Sequence, residues 1–319
     1  MTIAVVALGL VAVACGGGES GTTTAQPATT VAGPTSLRIA YVPATTVLPL
    51  HVAKAQGFFE KNNLDVTLTE AANISDIPAT LGRQFDISIG TATDLIRAGA
   101  AGVDVVQVSG NTVSTKANPF VKLIVKPDSG ITDITGLQGK TVGSPTLSGV
   151  IHAAVKYSAK QKGVNPSSIG EVEAPTPNLP DQLRAGRIDA VEALEPIASQ
   201  LIKAGNVSIA TPFDAIADPL ATNFYLAQGS WASKNRDAIS RFVDSLKQAQ
   251  AFIESNPAES RKVLQDYTKL PEAVASTVPL PTYNFDIRAG DLDMWVKVLK
   301  DIGDFNGQVD TKKLVLSAR

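Results

Sequence analysis

The residues in this chain best suited to chemistry are short hydroxyl and amide side chains at the ends of apolar runs. Gly139–His152 reads Gly-Lys-Thr-Val-Gly-Ser-Pro-Thr-Leu-Ser-Gly-Val-Ile-His: a short strand, a small-residue loop, then a helix opening near Ser148. Such a corner leaves the first N–H groups of the helix without intrahelical partners, and with the helix dipole behind them they can hold an anion. Thr146, Ser148 and Gly149 are its candidate contacts; the alternative is a loop that caps its own helix. Thr45, Thr46 and Val47 follow the first strand. Thr91 and Thr93 follow the strand ending at Gly90, where they can cap the next helix or offer hydrogen bonds to a ligand. Asn111 and Ser114 come after a further strand, and Asn223 and Tyr225 lie near a later crossing of the chain, as hinge or ligand residues. This is an inventory for capture rather than bond breaking. No Gly-x-Ser-x-Gly elbow, His-Glu-x-x-His or paired-carboxylate motif occurs. His51 and His152, both on predicted helices, are the one pair able in principle to do acid–base work or bind a metal. Gly139-Lys140-Thr141 is not a phosphate loop, because Ile134 stands where the earlier glycine is needed and a strand follows instead of a helix. No Arg or Lys lies in loops 43–49, 91–93 or 144–149. An anionic head would therefore be met by N–H groups and hydroxyls, with Val47 and Leu147 beside its organic part.

The chain has 319 residues, enough for two α/β units with their own cores. Hydrophobic residues make up 44% and charged residues 18%, which excludes a disordered chain, and a net charge of −2 without a basic run gives no footprint for nucleic acid. Met1–Ala14 is apolar, uncharged and too short for a permanent membrane span. A Gly/Ser/Thr/Ala/Pro-rich stretch follows to about residue 36, the layout of an export signal (1–14) and a flexible tether (15–36). The small residues before Cys15 resemble a bacterial lipobox, so Cys15 is the expected lipidation site and the protein is expected outside the cell membrane, anchored as a lipoprotein. Ala12 replaces the usual Leu, and no Lys or Arg precedes the apolar run, which suggests a start codon upstream of Met1. As Cys15 is the only cysteine, the folded part has no disulfides or cysteine-based metal sites.

Strand and helix patterns then alternate, predicting an α/β architecture with mostly parallel sheets. Strands are expected at 37–42, 65–69, 85–90, 104–109 and 120–126 in a first group. A second group has strands at 140–143, 170–174, 188–193 and 207–210, and another strand covers 223–227. Helices are expected at 50–60, 74–82, after Thr91, and at 149–162, 181–185 and 197–204. From Ser230 the texture is helical only: 233–254, 258–267, 272–277 and 291–302. The helical tail needs a sheet to cover, so it should return to the first group. This gives one lobe from 37–127 and 223–319 and a second from 128–222, crossing near 126–129 and 221–225, with a ligand at the strand ends between them.

Four blocks carry a family resemblance. Residues 37–68, "LRIAYVPATTVLPLHVAKAQGFFEKNNLDVTL", resemble the opening of bacterial solute-binding proteins of the nitrate/sulfonate/taurine and thiamine-precursor group. Phe85–Gly90, then Asp128–Ile131 with Leu137–Gly143, then Leu183–Ala190 with Glu195-Pro196, are similar to three further blocks of that group in the same order. The resemblance implies a two-lobed periplasmic-binding-protein fold of the second type. It also implies a monomer that hands a small organic solute to an ABC permease and, through it, to the ATPase, with no cofactor. It places the solute's anionic or polar head at Thr146, Ser148 and Gly149, and puts Glu195 in the cleft, where a carboxylate accepts hydrogen bonds from an amine or hydroxyl; the alternative for Glu195 is a surface or interlobe salt bridge. The expected ligand is a sulfonate, carboxylate or related anion, with a thiamine-precursor pyrimidine as the alternative. Pyrimidine-precursor synthases resemble the same group but carry a Cys-rich motif absent here, so a binding protein rather than an enzyme is expected.

Overall fold

A computed structural model describes residues 33–71 and 79–316. The export signal, Cys15, most of the tether and residues 74–78 of the helix expected at 74–82 lie outside the described residues.

The chain opens with β1 (Thr35–Tyr41), a 3-10 turn at Thr45–Val47, α1 (Leu48–Ala55), α2 (Phe58–Lys61) and β2 (Leu64–Glu70). Next come β3 (Ile87–Thr91), α3 (Ala92–Ala100), β4 (Val106–Ser114), β5 (Val121–Val125) and β6 (Thr141–Ser144). The middle of the chain holds α4 (Val150–Gln161), β7 (Gly170–Glu173), α5 (Leu179–Arg184), β8 (Ala190–Leu194), α6 (Ile197–Lys203) and β9 (Val207–Ala210). It ends with β10 (Leu220–Ala227), α7 (Gly229–Lys234), α8 (Arg236–Ser255), α9 (Pro257–Thr268), α10 (Glu272–Ala275), β11 (Thr282–Tyr283) and α11 (Ala289–Asp301). The helix expected at 50–60 is broken in two, because Gly57 takes a left-handed φ of 67° between α1 and α2.

Two sheets organise these elements, with strand orders β11-β4-β10-β3-β1-β2 and β7-β6-β8-β5-β9. Pairing is parallel in the strand–helix–strand portions, β1 with β2 and β3, and β6 with β7 and β8. β10 and β5, the strands that enter each sheet from the other, pair antiparallel with both neighbours. The sheets are therefore mixed rather than mostly parallel. A second correction concerns the strand expected at 120–126 in the first group. Val-Lys-Leu-Ile-Val at 121–125 lies in the second sheet, between β8 and β9. Four of its five residues are buried, and only an interior position covers both faces of such a run. The passages between sheets accordingly fall at 115–120 and 211–219.

α8 packs an apolar face of Ile239, Phe242, Leu246, Ala249 and Ile253 into the core of the first sheet. There Phe242 stacks on Phe59 at 6.0 Å and meets Tyr225 edge-on at 5.1 Å. α11 sits in a different cluster, where Trp295 contacts Phe213 and donates its Nε1–H to the Ala221 carbonyl at 2.7 Å.

Candidate ligand cavity

A cavity of about 470 Å³ opens where strand ends of the two sheets meet. The first sheet contributes Val42–Thr46 after β1, Ile89 and Thr91 of β3, and Asn223 of β10. The second contributes Ser144–Thr146 after β6, Gly149–Ile151 at the start of α4, and Leu194–Ile197 after β8. Phe120 and Phe213 close it between sheets, and Thr268 and Leu270 reach it from the end of α9.

Of the residues singled out from the sequence, Thr45, Thr46, Thr91, Thr146, Gly149, Glu195 and Asn223 line this cavity. The others do not. Val47 is fully buried in the core of the first sheet. Thr93 is buried with its hydroxyl 3.0 Å from that of Thr91. Asn111 and Ser114 are buried within β4, which runs five residues beyond the expected end at Ser109, and their side-chain polar atoms have no partner among the described residues. Ser148 is exposed, and among the described residues its hydroxyl meets only that of Thr146, at 3.3 Å. Tyr225 is a core residue.

The two helix starts at the cavity differ. At α3, Thr91 forms a capping box with Asp94: its hydroxyl donates to Asp94 Oδ2 at 2.6 Å and accepts from Asp94 N at 3.3 Å. That hydroxyl is spent on the helix. At α4, Gly149 is the N-cap and no side chain caps the helix, so the first N–H groups stay open at Val150 and Ile151, which line the cavity. The loop capping its own helix is not what forms. A Cβ on Gly149 would lie 2.7 Å from Thr146 Cγ2, so a side chain here would have to push the Thr146 methyl aside.

Donors and acceptors are unevenly spent elsewhere. Thr45 and Thr46 are almost fully buried, yet neither hydroxyl has a partner among the described residues, which leaves both for a ligand. Asn223 Oδ1 accepts from Thr112 and Thr222 at 3.2 and 3.1 Å, which leaves its NH₂ to donate. Glu195 is the only charged side chain in the lining. Its oxygens accept from Lys122 Nζ and from Ser199 N, both at 3.1 Å. Lys122 lies on β5, so this ion pair is internal to the second sheet rather than interlobe.

Neither histidine lines the cavity. His51 stacks on Tyr267 at 3.7 Å, and burial lowers its pKa to about 4, so it is neutral at physiological pH. His152, 1% exposed, lies behind the α4 corner with Nδ1 2.7 Å from Glu192 Oε1. The other Glu192 oxygen accepts from the Ser144 hydroxyl at 2.5 Å, and Ser144 Oγ in turn accepts from Thr146 N at 3.3 Å. His152 Nε2 is 3.0 Å from Glu171 Oε1, an ion-pair contact without hydrogen-bond alignment. Burial alone would lower the imidazole pKa; the bond and charge of Glu192, with Glu171, outweigh it and raise the value to about 9. A buried imidazolium–carboxylate pair thus props the Ser144–Thr146 loop. Ser144, Glu192 and Phe213 escaped the sequence reading. Ser144 had a signal, as the last residue of a strand leading into the corner; Glu192 and Phe213 had none.

Two mixed sheets whose strand ends share one cavity define the fold of periplasmic solute-binding proteins. The periplasmic aliphatic sulphonate binding protein SsuA from Escherichia coli superposes with a TM-score of 0.76 at 20% identity, over 88% of this chain and 97% of that one. The chain belongs to the NMT1/THI5-like family, whose model matches residues 44–260. Among curated relatives it is 25% identical over 235 residues to the 4-amino-5-hydroxymethyl-2-methylpyrimidine phosphate synthase THI13 of Saccharomyces cerevisiae, which covers 69% of this chain and 67% of that protein. It is 23% identical over 214 residues to the putative binding protein YtlA of Bacillus subtilis, covering 66% of this chain and 64% of that one. The match thus spans about two-thirds of the length of these relatives. Among the described residues no helix is long and apolar enough to cross a membrane.

Proposed function

We propose that this chain is the extracytoplasmic solute-binding component of an ABC importer, capturing a small organic solute between two lobes. The observation that carries this reading is the cavity itself: it draws on strand ends of both sheets, and it offers unspent hydrogen-bonding groups at Thr45, Thr46, Asn223 and the start of α4. A solute touching both sides favours the closed form by its differential affinity for that form, and the permease reads the closure. The polar or anionic head lies at the open N–H groups of α4 and the Thr45, Thr46 and Asn223 side chains. Each helix terminus supplies about 0.3–1 kcal/mol, more when partly buried. The mainly apolar wall, with Phe120, Ile151, Leu194 and Phe213, takes the organic body.

Sulfonates or carboxylates fit the α4 corner. A second reading, a neutral heterocycle with amine or hydroxyl donors, is favoured by one observation: the only charged lining residue is the Glu195 carboxylate. The synthase name of the yeast relative points to pyrimidine chemistry as well. The test is thermal stabilisation of purified residues 33–319 by nitrate, hexanesulfonate, 3-(N-morpholino)propanesulfonate, benzoate and 4-amino-5-hydroxymethyl-2-methylpyrimidine. A shift with one class selects between the readings; no shift with any of them, together with turnover of one, overturns the transport assignment. Lipid anchoring at Cys15 is tested by radiolabelled fatty acid in a bacterial host, where a Cys15→Ala chain should lose the label.

A further inference from the structure

The segment that presents Thr45 and Thr46 is a single 3-10 turn, the weakest kind of helical structure, and no side chain caps it. Two phenols from far along the chain hold it from behind. Tyr267 Oη donates to the Ala44 carbonyl at 2.7 Å and Tyr283 Oη to the Thr45 carbonyl at 2.8 Å. The Ala44 carbonyl also accepts from Val47 N at 3.2 Å, closing the turn. Tyr267 lies in the last turn of α9 and Tyr283 on β11, so both anchors belong to the C-terminal segment. Its contacts fix each ring in turn. His51, on the helix that follows the turn, lies flat against Tyr267 with an interplanar angle of 5° and meets Tyr41 edge-on at 4.7 Å. β11 pairs with β4 through Thr282 and Tyr283. Burial raises the pKa of both phenols well above the usual tyrosine value, so both remain donors across the physiological range.

With the two carbonyls drawn back into the protein, the turn faces the cavity with the Thr45 and Thr46 hydroxyls. We propose that Tyr267 and Tyr283 are positioning residues for solute capture: their phenols hold the Thr45–Thr46 turn in its binding shape, so affinity is set from behind the wall. The inference rests on the solute-binding reading but has an arm that does not depend on it.

That arm is amide hydrogen exchange of peptides covering 42–50 in Tyr267→Phe, Tyr283→Phe and the double variant, without any solute. Removing a hydroxyl while keeping the ring leaves packing in place, so exchange should quicken by roughly tenfold in 42–50, with α4 and β6 unchanged. Tyr225→Phe is the control: its buried hydroxyl has no partner among the described residues, and its loss should leave 42–50 as in wild type. The second arm is the dissociation constant of whichever panel compound stabilises the wild type, expected to rise roughly tenfold in the double variant and to stay unchanged in the control. Unchanged exchange at 42–50, or faster exchange with unchanged affinity, overturns the proposal. If no panel compound binds wild type and one is turned over, the solute-binding reading is what fails, and exchange still decides whether the phenols hold the turn.

Discussion

Replacing His152 with alanine tests the buried relay behind the α4 corner. The imidazole is 1% exposed, and its removal leaves the Glu192 carboxylate, itself fully buried, with Ser144 as its remaining hydrogen-bond partner. Breaking a buried ion pair from one side costs about 3–5 kcal/mol. An independent route gives a similar size. The gap between about 9 in the fold and 6.5 for a free imidazole corresponds to about 3 kcal/mol, at about 1.36 kcal/mol per pH unit. The lowered pKa of Glu171 is partly the other side of the same contact and is not added. Because the folded value lies above the unfolded one, this stabilisation is complete below pH 6.5 and is lost as pH rises through 9. In a domain of this size each kcal/mol moves the thermal midpoint by about 2 °C. Melting curves of wild type and His152→Ala from pH 5.5 to 10 should therefore differ by roughly 6–10 °C at the acid end. The gap should narrow steadily above pH 6.5. A gap constant across the whole range would show that the imidazole only fills space, and no gap at pH 6 would refute the buried pair altogether.

Three further changes probe separate links. Gly149→Val places a side chain where a Cβ would already lie 2.7 Å from Thr146 Cγ2. Titration calorimetry with the panel compound that binds should show affinity weakened by on the order of tenfold, and unaltered affinity would move the head group away from α4. Trp295→Phe removes the donor to the Ala221 carbonyl and should lower unfolding stability by about 1–3 kcal/mol in urea, with the m value unchanged. Lys122→Met strips Glu195 of its cation and should cost a similar amount, about 1–3 kcal/mol. It should also weaken an anionic compound more than a neutral one; equal effects on both would mean that Lys122 does not shape the field in the cavity.

Much of the architecture was legible because alternating apolar runs have few ways to bury themselves. What failed was sheet membership, since a run such as Val-Lys-Leu-Ile-Val at 121–125 announces burial on both faces without saying in which sheet. In the cavity, most of the residues that hold their place sit at or just after the ends of strands with a parallel neighbour, where open sheets leave strand ends free, and Asn223 is the exception, within the antiparallel β10. Asn111 and Ser114 misled because β4 carries polar residues through a buried stretch, so its composition resembles a loop. Val47 misled because the third residue of a 3-10 turn rotates back to the core. Glu192 was beyond reach for a different reason. Its meeting with Ser144 follows from the register of β6 on β8, with Val142 opposite Ala190 and Gly143 opposite Val191, a relation between segments that no local pattern encodes.

The cluster around α11 joins what the sheets separate. Phe120, Val150, Ala154 and Phe213 pack in it with Leu95, Phe224, Leu292 and Trp295, so side chains from around both sheets exclude water together. Pro34–Arg319 form one compact unit. Heat should therefore dissolve both sheets in one cooperative step, and the stretch 115–219 expressed by itself should expose this cluster and aggregate. An opening of the cavity that left this cluster dry would have to keep Trp295 against Phe213, so the two rings would act as the bearing on which the sheets turn.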